Sequence, residues 1–440
     1  MMSHITVADV QIIGVPYKKI IDISVEQVIG AHAKCVFILE MEEASADATL
    51  YYNANIAVKI SGGNSNSDFF YGIILNSVKI AEKDYPAYRF EAYSRSYLLD
   101  IIPMNATYQQ TQKPISALMQ QVADGGANIY FGVTDRAVGA WMYQNHETAW
   151  QFIKRLASQC GVAVITNTDT MPPVISIGKT GRHQANPIPV IETYKLDGKD
   201  VYRSYVPVEL GVEMSGGNYV SYVKTFSRGG EVITDYMLSD QAGFSTPVYY
   251  NPSTECTMLK GKVTAVDKEK IQVHFDSIDQ AQDSASDCWF EYATPYATGG
   301  GAYGSGFYFM PEEGDYVRVF IPSADESKAF AFGTISTAQL SDSTMAQWKV
   351  PKGQEILFTK QGIRIMCGDN KLYIDMVSGE GIKVWSEKAI VMESQKEIDI
   401  EATDAVVMYA DHLLELMSSE NKIVIENDKI MFNTANILLN

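Results

Sequence analysis

The sequence predicts a mainly β protein: a strand-rich hub domain with a few helices, an OB-fold barrel, and a C-terminal intertwined trimeric β-helix, or prism. Three observations carry this expectation. Tyrosine (26) and glycine (32) are plentiful while clear amphipathic helices are few, a balance that suits strands and turns. Five short strand-like runs crowd into residues 259–333. Beyond residue 360, pairs of apolar residues separated by one position recur at a step of about eight.

In the hub, β-branched and aromatic runs alternate with turn clusters, as in Ile56-Ala-Val-Lys-Ile60, Ser61-Gly-Gly-Asn-Ser65 and Phe69-Phe-Tyr-Gly-Ile-Ile-Leu75, the pattern of a barrel or sandwich. Two helices interrupt it. The first begins near Pro114, carries Ile115, Leu118, Met119 and Val122 on one face and stops at Gly125-Gly126. The second starts at Thr148 or His146, repeats Trp150, Phe152, Ile153, Leu156 and Ala157 at helical spacing, and is capped by Gly161. Further strands follow to about Tyr250, where Pro247 and Pro252 mark a boundary. The hub is placed at residues 1–248.

The barrel, residues 249–336, rests on Leu259–Val266, Ile271–Phe275, Cys288–Tyr292, Tyr316–Ile321 and Ala329–Gly333, five strands that fit a small closed barrel of the OB type. Residues 337–352 are polar with little periodicity and are read as a connector. The needle, residues 353–440, contains Ile363/Ile365, Leu372/Ile374, Ile382/Val384, Ile390/Met392, Ile398/Ile400, Val406/Met408, Leu414/Leu416, Ile423/Ile425 and Ile430/Phe432. Residues at i and i+2 share one face of a strand, and Asp399, Glu401, Glu415 and Glu426 fall on or near the other. A unit this short cannot bury its apolar face alone, so units must stack. A single chain would make only about three triangular coils, near the minimum for stability. Three intertwined chains would give every layer apolar residues from each, and the modest length without a capping element favours that version. From Ile382 to Ile425 the pairs are the expected trimer core.

The bulk numbers exclude several classes. A net charge of −18 repels phosphate backbones and anionic headgroups, and no basic patch offsets it. Cys35, Cys160, Cys256, Cys288 and Cys367 are scattered and form no CxxC pair, which indicates neither a disulfide framework nor a zinc knuckle. The N-terminus shows no basic n-region or apolar h-region, and no run reaches the roughly 18 apolar residues of a membrane span. The expectation is a chain made in the cytoplasm without a signal peptide.

Local spellings resemble the hub-and-spike proteins of contractile injection systems, which include the VgrG proteins of type VI secretion and the hub and spike of myophage tails. Phe70-Tyr-Gly-Ile-Ile74 followed by Glu91-Ala-Tyr-Ser-Arg-Ser-Tyr-Leu-Leu-Asp100 is similar to that family's F-x-G-x-I … A-x-S-x-x-x-L-D stretch. Tyr143–Ala157 with Gly161 is similar to its Q-Y-x-E-T-x-x-x-F-x-x-R-L helix, and Met310–Phe320 to its P-x-x-G-D-x-V-x-V-x-F barrel signature. The repeats lack the regular Val-Gly spelling of the prototype, and no effector-sized insertion separates barrel from needle. The resemblance implies a non-catalytic homotrimer that caps the inner tail-tube protein, sits among baseplate proteins and punctures a target envelope; some spike tips of that family carry an HxH metal site, but His4, His32, His146, His183, His274 and His412 show no such spacing, so no metal or cofactor is expected. It also implies a PAAR-like tip protein, placed here on Ile437, Leu438 and Leu439, and contact with tape-measure or effector cargo.

Sharper chemical readings have plainer counterparts. Gly299–Gly304 spells GxGxxG but opens no helix, so a barrel loop is expected. Trp289, Phe290 and Tyr292 could stack bases, yet Asp287 and Glu291 beside them favour core packing. His146 and Glu147 are explained by capping of the second helix. Glu397/Asp399 and Glu401/Asp404 could imitate a glycosidase dyad, the mark of a β-helical tailspike enzyme degrading surface polysaccharide, but charge outside a stacked prism serves solubility.

Overall fold

The computed structural model describes residues 4–42, 48–62, 65–80, 85–184, 187–279, 288–298, 305–336, 342–350, 353–368, 370–426 and 429–437. Residues 1–337 form one compact unit and residues 338–440 a second. No helix among the described residues is long and apolar enough to cross a membrane.

The first unit is built on a twelve-stranded sheet. Ten of its strands are β1 (Val10–Ile13), β2 (Lys19–Val28), β3 (Lys34–Glu40), β4 (Asn55–Gly62), β5 (Ser65–Ile80), β6 (Ala87–Ser94), β7 (Glu192–Leu196), β8 (Lys199–Ser204), β9 (Tyr219–Arg228) and β10 (Glu231–Ser239). They are ordered β1-β4-β5-β6-β3-β2-β9-β10-β8-β7, which leaves the sheet open with β1 and β7 at its edges. Alternation sets its faces: β3 buries Cys35, Phe37 and Leu39, which join Phe70, Ile74 and Phe90 in the largest core.

Both expected helices form. Helix α1 (Ile115–Ala123) starts after Pro114 and ends at a left-handed Asp124. Helix α2 (Ala149–Gln159) has Thr148 as its N-cap: the hydroxyl accepts from the Gln151 N–H, and the Gln151 side chain accepts from the Thr148 N–H. At its other end the Gly161 N–H donates to the Ser158 carbonyl and the Val162 N–H to the Ala157 carbonyl. These two bonds need the positive φ of 74° that Gly161 supplies.

The stretch Ala92–Asp100 closes around the start of α2. Asp100 accepts from the Thr148 hydroxyl and lies 3.3 Å from His32 Nε2, while His32 Nδ1 is 2.8 Å from the Ser96 hydroxyl. The His32 ring lies 4.2 Å from Trp150, and burial pushes its pKa below the usual imidazole value against the pull of Asp100.

The barrel closes from Thr257–Asp267, Lys270–His274, Trp289–Ala293, Phe330–Ile335 and Tyr316–Ile321 in that spatial order, as the sequence predicts. Its interior is not filled by barrel residues alone. Trp141, from the hub, stacks on Phe275 at 5.7 Å, meets Phe290 edge-on at 5.2 Å, and donates its indole N–H to the Glu326 carbonyl at 2.8 Å. Trp141 and Tyr143 thereby belong to the same core as Val263, Ile271, Val317 and Val319.

In the second unit, Ala346–Lys349, Glu355–Phe358, Gly362–Cys367, Leu372–Val377 and Gly381–Ser386 form an antiparallel meander, and Leu413–Ser418, Asn421–Glu426 and Lys429–Asn433 form another. No strand is assigned from 387 to 412.

Two outcomes are expected. Trp141→Ala removes a large buried ring and its hydrogen bond to the Glu326 carbonyl, costing about 3–5 kcal/mol; urea unfolding of residues 1–337 should show that loss, and residues 249–337 alone should lack a cooperative transition. For His32, the folded state resists the proton that the unfolded chain accepts below about pH 6.5. The stability it contributes is therefore present above that value and lost as the pH falls below it. Thermal midpoints measured from pH 7 to pH 5 should drop more steeply for the natural chain than for His32→Gln.

Candidate assembly surfaces

On either side of residues 387–412 the apolar pairs of the second unit line up across strands. In the five-stranded meander, Trp348, Ile356, Ile365, Ile374 and Val384 are successive cross-strand partners, and Phe358, Ile363, Met376 and Ile382 make a parallel row on the same face. The opposite face carries Arg364, Asp375 and Lys383 in register, with Arg364 Nε 2.5 Å from Asp375 Oδ1. In the three-stranded meander, Leu414 pairs Ile425 and then Ile430, and Leu416 pairs Ile423 and then Phe432. The expected core residues Ile382, Val384, Leu416, Ile423 and Ile425 are all exposed and Leu414 is half-buried, with Ile382 at 75%.

Trp348 was not among the expected core residues. It lies in the polar stretch read as a connector, yet heads an apolar row. Its only sequence signal is alternation with Ala346 and Val350 over too few residues to register as a repeat.

Between the meanders the chain forms no strand. Ile390, Met392, Ile398, Ile400, Val406 and Met408 occupy this segment, and their exposure runs from 47% to 69%. No backbone–backbone hydrogen bond joins residues 388–412 to any described residue. This is also where the eight-residue step is constant. Ile437 is exposed at 58%; Leu438 and Leu439 lie outside the described residues.

A second assembly of side chains ties barrel to hub. Arg155, fully buried on α2, donates from Nε and Nη2 to Glu147 at 2.8–3.1 Å, from Nη1 to Glu326 Oε1 at 2.7 Å, and from Nη2 to the Tyr143 carbonyl at 2.9 Å. Glu147 is thus an ion-pair partner and not a cap, which corrects the expectation for it. The reason is a bulge between Pro103–Tyr108 and Met142–Thr148: Glu147 pairs Met104, Asn145 pairs Asn105, and His146 is the extra residue. With φ of 51°, His146 turns outward and donates its N–H to Asn105 Oδ1 at 2.9 Å, while Glu147 turns in. Burial pushes the Glu147 carboxyl up despite the guanidinium beside it. Two carboxylates share one cation here.

Nothing among the described residues assembles a reaction centre around the other candidates. Phe290 is in the barrel core and Tyr292 packs against it, but Trp289 is exposed at 46%, contrary to the core packing expected of it. Gly299–Gly304 lie outside the described residues. Glu397, Asp399, Glu401 and Asp404 are exposed on the unpaired segment. No group of three or more His, Cys, Asp or Glu that could hold a metal occurs among the described residues.

Comparison with known proteins places these features. Residues 259–335 match the family model of the type VI secretion system/phage-baseplate injector OB domain. No curated protein sequence matches the chain. The E. coli c3393 protein, described as a component of the type VI secretion system with structural similarity to the T4 bacteriophage tail proteins gp27 and gp5, aligns over 74% of this chain and 99% of its own, with a TM-score of 0.54 and 12% identity. A chain of the Francisella PdpA-VgrG complex aligns over 87% of each chain, with a TM-score of 0.50 and 9% identity. At such identities the likeness is one of fold. The chain is a mainly β protein that carries an injector-type OB domain and resembles the VgrG-like hub-and-spike proteins of contractile injection systems in the fold around it.

Proposed function

We propose that this chain is the structural hub and spike of a contractile tail-like injection machine and works as a homotrimer. Residues 1–248 dock on the inner tail-tube protein and the baseplate, the barrel joins hub to needle, and residues 353–440 form the needle that enters the target envelope. A PAAR-like tip protein covers the end around Ile437, Leu438 and Leu439, and tape-measure or effector cargo is carried with the particle. The role is mechanical, not catalytic.

The observation that carries this reading is the segment 388–412. Its six core-type residues are about half exposed, and no backbone–backbone hydrogen bond joins it to any described residue. Exposed apolar rows of this extent are unfavourable in water, and unpaired extended backbone readily takes a neighbouring strand. Two further copies satisfy both requirements at once, and the charged residues between the pairs then face solvent.

Light scattering on the full chain should give a mass near three times 48.7 kDa, and the chain truncated after residue 345 should shift toward one copy. A monomeric full-length protein would overturn the trimer and favour a single-chain β-helix.

A further inference from the structure

Six neighbouring strands of the hub sheet place one charged residue each in a single cross-strand row. Lys34 on β3 pairs Glu26 on β2, Glu26 pairs Lys224 on β9, Lys224 pairs Asp235 on β10, Asp235 pairs Arg203 on β8, and Arg203 pairs Glu192 on β7. The signs alternate without a break. Directly opposed residues of adjacent strands share a face, where opposite charges stabilise the pairing and like charges oppose it.

The row is best held at its outer end. Arg203 donates from Nε and Nη2 to Asp235 at 2.7 and 3.0 Å and from Nη1 to Glu192, and its guanidinium lies 5.0 Å from the Tyr194 ring centre. Tyr194 in turn donates its hydroxyl to Asp235 at 2.8 Å. Glu192 ends the row on an edge strand, its side chain 54% exposed, with one carboxylate oxygen bound to Arg203. On its far side β7 has no strand partner among the described residues, and Leu196 at its end and Ile191 just before it are exposed apolar residues.

We propose that the β7 edge receives an extended strand of another protein that carries a lysine or arginine in register with Glu192. Such a strand continues the alternation, supplies the backbone partners that an edge lacks, and covers Ile191 and Leu196. The opposite edge of a second copy does not fit, because β1 reads Val10-Gln11-Ile12-Ile13 and offers no cation. The proposal does not depend on the needle or on trimer formation.

Two labelled ten-residue peptides of alternating valine and threonine, one with a central lysine and one with a central glutamate, are titrated against the full chain at low salt by fluorescence anisotropy. The lysine peptide should bind about fivefold tighter or better, since a favourable pair is exchanged for a like-charge pair. In Glu192→Lys, whose fold is checked by circular dichroism, the preference should reverse. Failure of the lysine peptide to bind, equal binding of both, or a preference unchanged in Glu192→Lys would overturn the proposal. A change in the protein's own solution mass in Glu192→Lys would overturn the choice of partner and assign the edge to a second copy.

Discussion

A strand with two inward-facing residues cannot satisfy itself. Its apolar pair covers too little area to exclude water, and every residue still needs partners for its N–H and C=O groups. The C-terminal unit, residues 338–440, answers this constraint in two ways. Toward residue 386 and beyond residue 412 the units fold back as hairpins and pair within the chain, leaving an apolar face. From 388 to 412 they do not fold back, and no backbone–backbone hydrogen bond joins them to any described residue; in the proposed trimer other chains supply the partners. The turns explain the difference. Gly379 and Gly381 have φ of 84° and 103° and Ser419 has φ of 53°, which allow tight reversals, whereas residues 387–412 contain no glycine.

In the proposed spike, force applied through a needle would have to reach the hub, and the join between barrel and hub suits that demand. Trp141 makes the two share a core, and Arg155 binds carboxylates from both at 2.7–3.1 Å. A buried ion pair adds little over a hydrophobic replacement, but removing one partner strands a charge and costs about 3–5 kcal/mol. Sliding the barrel off α2 would separate Glu326 from Arg155 in just that way. The join therefore resists displacement more than its net stabilisation suggests.

Much of this was legible from local pattern. The barrel strands alternate, the second helix has a capping box and a C-terminal glycine, and the apolar pairs within 363–384 and 414–432 fall on one face of each meander, because each signal lies within a few residues. What escaped needed register or distance. Glu147 sits beside a helix start and looks like a cap; only the bulge at His146 shows that it points inward. Arg155 and Glu326 are separated by 171 positions, and Trp141 reads as a hub residue although it fills the barrel. The alternating charge row is spread over six strands from Lys34 to Glu192, and no spacing in the sequence connects its members.

Amide hydrogen exchange across residues 388–412 of the full-length protein tests most directly whether other chains pair this segment. Slow exchange at Ile390, Met392, Ile398, Ile400, Val406 and Met408, lost on dilution or mild denaturation together with the trimer mass, is the expected result. Exchange of these amides at the rate of an unstructured peptide in the native protein would contradict it.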